Sequence, residues 1–218
     1  MMKWLLFLFL PCALFAKLND KGDFQIWNSD GMNIPLSKKI HFSGNAEFRY
    51  GNDRKKLYYK HYQGGFRLYR SYHMLFYFAY RHIYNRIQGK WIAEYDPLLD
   101  LTFQAGNRRG LFISNRNRLQ YRILGENLGG KNRWLYRNRS EFASPYRLSR
   151  QNIIPYFAYE LFWQETRGID QNRFEIGLKI PYHERTELNL SYFLRLLKDP
   201  QKKWIHQNIV RLDFFLHF

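Results

Sequence analysis

Residues 204–218 read Trp-Ile-His-Gln-Asn-Ile-Val-Arg-Leu-Asp-Phe-Phe-Leu-His-Phe. From Val210 onward, Leu212, Phe214, Leu216 and Phe218 continue one apolar parity. Ile209, Arg211, Asp213, Phe215 and His217 take the other. A helix gathers residues three and four apart, whereas a strand sends successive side chains to opposite faces. The stretch therefore predicts a strand with one apolar face and one charge-bearing face. The same alternation recurs upstream. Leu188, Leu190, Tyr192, Leu194 and Leu196 face away from Glu187, Asn189 and Arg195. Phe174, Ile176, Leu178 and Ile180 face away from Arg173, Glu175 and Lys179. Along 112–123, Arg116, Arg118, Gln120 and Arg122 share a face opposite Ile113, Leu119, Tyr121 and Ile123.

Composition narrows the partners. The 218 residues hold 35 Lys+Arg against 18 Asp+Glu, a net +17, together with 19% aromatics. Disordered basic tails are poor in aromatics, so a folded chain is expected. Positive charge of this size first points to nucleic acid or a membrane surface. The N-terminus weighs against nucleic acid. Met1-Met2-Lys3 precedes an apolar run from Trp4 to Phe15, and polarity returns at Lys17. This is the layout of a cleaved secretion signal, with Ala16 as its last residue and residues 1–16 removed. The run falls short of the roughly 20 residues a spanning helix needs. Cleavage takes Lys3 and the only cysteine, Cys12, leaving +16 and excluding disulfides and cysteine-ligated metals in the mature chain.

Two architectures fit the alternation. A soluble sandwich turns its apolar faces inward; a transmembrane barrel turns them to lipid and its polar faces to the lumen. The barrel is favoured. The segments are longer than the roughly 5–6 residues of ordinary strands, aromatics gather near their ends, and the signal exports the chain. The expected fold is all-β: a single antiparallel transmembrane β-barrel of about ten strands with a charged interior, in the bacterial outer membrane. Strands are expected near 39–50, 57–70, 73–85, 98–106, 111–123, 132–144, 152–164, 171–181, 185–196 and 204–218. Residues 17–38, with Asp23–Asp30 around Trp27, are read as a periplasmic or inward-folded lead-in to the barrel of 39–218. Pairing them into the wall with one more strand would give twelve. With Phe218 on the periplasmic side, the outer links are Gly51–Lys56, Arg86–Pro97, Gly125–Lys131, Thr166–Asp170 and Leu197–Lys203, mostly the longer set. Gly64-Gly65 reads as a bend or bulge.

A barrel this narrow is filled by its own side chains rather than open like a large porin. The expected inward set has twelve basic residues: Arg49, Arg67, Arg81, Arg116, Arg118, Arg122, Arg137, Arg139, Arg173, Lys179, Arg195 and Arg211. Its seven acids are Glu47, Asp100, Glu141, Glu160, Glu175, Glu187 and Asp213. Strands 111–123 and 132–144 would set arginines against arginines, so carboxylates such as Glu160, or bound anions, must intervene. The candidate lumen network is Arg49, Arg116, Arg118, Arg122, Arg137, Arg139, Glu141, Glu160 and Arg173. It reads as a salt-bridge ladder holding the barrel shut or as a path for a small anion. Arg54, Lys55, Lys56, Lys131, Arg133, Lys198, Lys202 and Lys203 gather at the outer rim, which reads equally as a contact for lipid phosphates and as a simply solvated rim.

The order of several short elements adds a resemblance. They are Ile26-Trp27-Asn28, Glu47-Phe48-Arg49, the Arg116/Arg118/Arg122 strand, Arg137-Asn138-Arg139-Ser140-Glu141, Tyr159-Glu160-Leu161-Phe162, Asn172-Arg173 followed by Gly177, and terminal Phe218. Over nearly the whole mature chain the sequence resembles the outer-membrane β-barrels grouped as the domain of unknown function 2490 family. It departs at Glu94-Tyr95-Asp96, where a Glu-His-Arg-like run is expected. The resemblance implies an outer-membrane location, no established activity, and recognition of Phe218 by the barrel-assembly machinery.

Catalytic signals are weak. No Gly-x-Ser-x-Gly elbow, phosphate loop or histidine metal spacing occurs, and no cofactor is implied. Asp213 with His217 and His41 with Ser43 share faces, the only hints of a barrel enzyme acting on lipid or peptide at a rim. A structural or interaction role, or a narrow anion-binding lumen, is the leading expectation. A soluble secreted β protein binding anionic polymers is the third.

Overall fold

The computed structural model describes residues 23–51, 55–107, 110–125, 131–149, 151–199 and 201–218. The expected signal, the rim residue Arg54 and the loop residues 126–130 lie outside them. Eleven strands form one closed barrel. They are β1 (Asp23–Pro35), β2 (Ile40–Gly51), β3 (Lys56–Ser71), β4 (Met74–Ile87), β5 (Lys90–Gly106), β6 (Phe112–Leu124), β7 (Arg133–Ala143), β8 (Ile154–Gln164), β9 (Gly168–His183), β10 (Thr186–Lys198) and β11 (Trp204–His217). Sequence neighbours pair antiparallel, and β1 closes the ring by pairing parallel with β11, from Asp23↔Gln207 to Asn33↔His217.

This corrects the expected ten antiparallel strands. Asp23–Pro35 is a wall strand, not a lead-in. Without it, β2 and β11 would each present an unpaired row of N–H and C=O groups, which a closed wall cannot tolerate. An odd strand count requires one parallel pair, and β1–β11 supplies it. Gln25, Trp27 and Ser29 mark the inward parity of β1 by being buried.

β5 is a second correction. The expected outer link Arg86–Pro97 is mostly paired strand, and β4 and β5 join through Gln88-Gly89 alone. Both residues have positive φ, 49° and 84°, as a two-residue hairpin turn requires. Pro97 disguises the strand, because proline breaks a ladder. The ladder to β6 passes from Tyr95↔Ile123 to Leu98↔Gln120 and skips Asp96 and Pro97. With β5 extended, the links at the two ends are similar in length and the expected asymmetry is absent.

Gly64-Gly65 is not a bulge. Both pair continuously with β2 and β4, and the register shifts of β3 fall elsewhere. Gly65 instead permits a close approach: a Cβ there would lie 2.2 Å from the Phe78 carbonyl oxygen. Gly65→Val is expected to lower the urea midpoint of the refolded barrel by far more than Gly64→Val, whose Cβ would meet nothing nearer than 3.6 Å. Equal midpoints would refute this.

The wall is inverted relative to a soluble protein, in which buried charges are rare. Among the described residues, twenty polar or charged side chains are buried against twelve apolar ones. Phe66, Phe78, Phe103, Trp134, Phe157, Phe174, Ile176 and Phe214 stand exposed outside.

Candidate functional site: an ion-paired lumen in two chambers

The register of β6 and β7 places like charges opposite one another, as expected for Arg116↔Arg139 and Arg118↔Arg137, and adds Arg122↔Arg133. Carboxylates from other strands relieve the repulsion. Arg118 donates to both oxygens of Asp100 on β5, at 2.6 and 2.7 Å, the planar fork matching the carboxylate. Glu160 on β8 is the hub. Its Oε1 accepts from Arg116 at 2.8 Å and from Arg137 at 2.7 Å, and its Oε2 lies 3.4 Å from Arg173. Arg139 binds Glu175 and, at 3.1 Å, Glu141, which also holds Lys179. Arg49 pairs with Glu47 at 2.5 Å, and Arg211 with Asp213 at 2.6 Å. Arg122 reaches Glu94 at 3.5 Å. Every member of the predicted network is thus in an ion pair.

Two inward acids escape the sequence reading. Glu94 and Asp96 lie on the buried parity of β5 with Asp100. Asp96 faces Arg81 at 3.6 Å. Their alternation with Trp91, Tyr95 and Leu99 is visible in the sequence, but Pro97 makes the stretch read as a loop. They reduce the surplus of positive charge inside.

Trp27 also escapes, because its strand reads as a lead-in. It is fully buried at the waist. The Arg49 guanidinium stacks between Trp27 and Tyr59, 3.8 and 4.0 Å from the ring centres. Arg173 lies 4.9 Å from Trp27 and 4.4 Å from Phe162, and Arg137 lies 4.5 Å from Phe162. Phe193 meets Trp27 edge-on at 5.7 Å. The indole N–H donates to Gln25 at 2.9 Å, which satisfies its one polar atom. Guanidinium groups suit this layer because they are weakly hydrated and stack on aromatic faces.

This layer divides the lumen. A chamber of about 370 Å³ lies towards the Phe218 end and one of about 330 Å³ towards the far end. Arg49, Arg81, Arg137 and Arg173 border both. In the near chamber every basic lining residue except Arg67 has a carboxylate within 4.0 Å. In the far chamber Arg133, Arg167, Arg195 and Lys198 have no carboxylate partner among the described residues. Arg133, expected at the rim, therefore lines the lumen, while Lys198 stays at the rim over the Trp204 ring.

The two histidine pairs do not assemble. Asp213 is held by Arg211, and His217 is four residues along the strand, about 13 Å at roughly 3.3 Å per residue. His41 meets Asn33 at 3.0 Å, and its ring lies tilted 4.8 Å from that of Tyr69. Among the described residues, no three His, Cys, Asp or Glu side chains are grouped to hold a metal ion.

Residues 24–206 match the model of a family described as Protein of unknown function (DUF2490). No curated protein matches the chain.

Proposed function

The chain belongs to the family described as Protein of unknown function (DUF2490), and from that premise we propose that it is an integral barrel of the bacterial outer membrane, closed at its waist by its own side chains. Its role is structural or interactive within that membrane, with a narrow anion-binding lumen rather than an open pore. The observation that carries this reading is the inverted wall: charges inside, large apolar side chains outside. In water such a surface would keep many Phe, Leu and Ile side chains exposed, each forgoing about 1.5–3 kcal/mol of burial. In lipid the same surface is solvated, and the closed barrel of described strands leaves no sheet edge open.

The ends support it further. Trp91, Trp134, Trp163 and Trp204 stand exposed towards the far end, and Tyr72, Tyr146, Tyr182 and Phe218 at the other. Two aromatic belts flanking an apolar band are what the two faces of a bilayer select. Phe218 is then available to the assembly machinery on the periplasmic side, and Asp23 begins at the outer end.

Fractionation tests the reading. The protein is expected to stay in outer-membrane pellets through high-salt and carbonate washes. It should migrate faster on a denaturing gel when unboiled. Quantitative release by salt would overturn the proposal in favour of a soluble, polyanion-binding β protein.

A further inference from the structure

The two chambers differ in how their charges are balanced. Near the Phe218 end, every basic lining residue except Arg67 shares a carboxylate in a connected network. Arg133, Arg167 and Arg195 line the far chamber with no carboxylate within 4.0 Å among the described residues, while Lys198 at its edge lies over the Trp204 ring, 5.1 Å from its centre. Against them stands one carboxylate outside the ion pairs, Asp170, which accepts from Gln164 at 2.6 Å. Arg133 and Arg195 thus outnumber Asp170, and the exposed Arg167 adds a further positive charge at the mouth. Burying charge without compensation is costly, so the half-buried Arg133 and Arg195 call for a further anion.

The side chains around the surplus are arranged rather than loose. Arg195 is clamped: its Nε and Nη2 donate to Gln171 Oε1 at 3.0 and 2.6 Å, and its Nη1 donates to Gln207 at 3.1 Å. These partners are neutral, so they orient the guanidinium without cancelling its charge. Gln171 is 8% exposed, and its Nε2 donor has no partner. The Nε of Arg133 is likewise buried and unpartnered. Oriented donors and net positive charge are what a phosphoryl group with several oxygens requires.

Size and lining narrow the ligand. At about 330 Å³ the cavity exceeds a halide. Tyr58, Tyr59 and Phe162 share its wall, giving apolar surface to an organic portion. The lining reaches the exposed Arg167 in the link between β8 and β9. We infer that the far chamber is a binding site for a small, soluble phosphorylated molecule carrying at least two negative charges, held by Arg133 and Arg195 with Gln171. This deepens the anion-binding lumen proposed above and rests on it.

Isothermal titration of the detergent-solubilised full-length barrel with inorganic pyrophosphate tests the site. Arg133→Gln and Arg195→Gln are each expected to raise Kd about tenfold or more, the scale of one charge-assisted hydrogen bond. Lys39→Gln, the same charge change in the opposite-end link, should leave Kd within about twofold, since only diffuse attraction is altered. Equal weakening by all three variants would overturn the site as non-specific attraction. Tight binding that neither arginine variant alters would overturn the far-chamber assignment but not the anion-binding lumen. Absence of binding would overturn both. Binding of micellar diphosphoryl lipid without binding of pyrophosphate would overturn the soluble ligand. Heat-modifiable migration of the same samples shows separately whether the barrel is formed.

Discussion

Glu160→Gln is expected to destabilise the barrel by about 3–5 kcal/mol, the usual result of removing one partner from a buried ionic cluster. The size follows from position. Glu160 is 2% exposed and serves Arg116, Arg137 and Arg173 together. Glutamine keeps the shape and one carbonyl acceptor but withdraws the charge shared by three guanidinium groups. Of these, Arg116 and Arg137 already face Arg139 and Arg118 across the sheet. The refolded variant should unfold at clearly lower urea, with its heat-modifiable band lost at lower temperature. Glu184→Gln, in the exposed link between β9 and β10, should change stability by less than about 0.5 kcal/mol. Equal urea midpoints for Glu160→Gln and the unmodified chain would mean the hub does not hold the wall.

Trp27→Ala is expected to open the waist. The indole is the surface on which Arg49 and Arg173 lie, and its removal joins the cavities on either side. In planar bilayers the unmodified protein should be silent. The variant should show conductance steps favouring anions, since arginines line the joined path. Trp204→Ala, at the far rim, should remain silent. Conductance of the unmodified barrel equal to that of Trp27→Ala would show that the waist is no barrier. The variant also loses packing worth about 3–5 kcal/mol, so its barrel must first be verified by migration.

Much of the lumen was legible because a strand's two-residue period sorts side chains by face. The row of Arg116, Arg118 and Arg122 needed only that rule to be set against Arg137 and Arg139, whereas its meeting with Arg133, expected at the rim, was not read. The choice of Glu160 as their counter-ion followed from β8 being the next strand. What escaped was masked by local chemistry. Pro97 concealed the first half of β5, and with it Glu94 and Asp96, the partners of Arg122 and Arg81. The rule of even strand number hid β1, and with it Trp27. The division of the lumen could not be read at all, because it depends on rings from β1, β3, β8 and β10 meeting across the interior. No periodicity within one strand encodes such a meeting.

The parallel ladder of β1 and β11 bears on the order of folding. It joins Asp23 to Gln207, roughly 180 residues apart, while the other ladders join neighbouring strands. Hairpins can zip one after another as the chain emerges, but this last ladder must wait for the C-terminal strand and for the largest loop-closure entropy in the molecule. Until then β1 is a tethered strand without its second neighbour, and the growing sheet is an open ribbon. The first strand made is the last to be locked, so the rate of barrel completion belongs to a seam that both ends of the chain must reach.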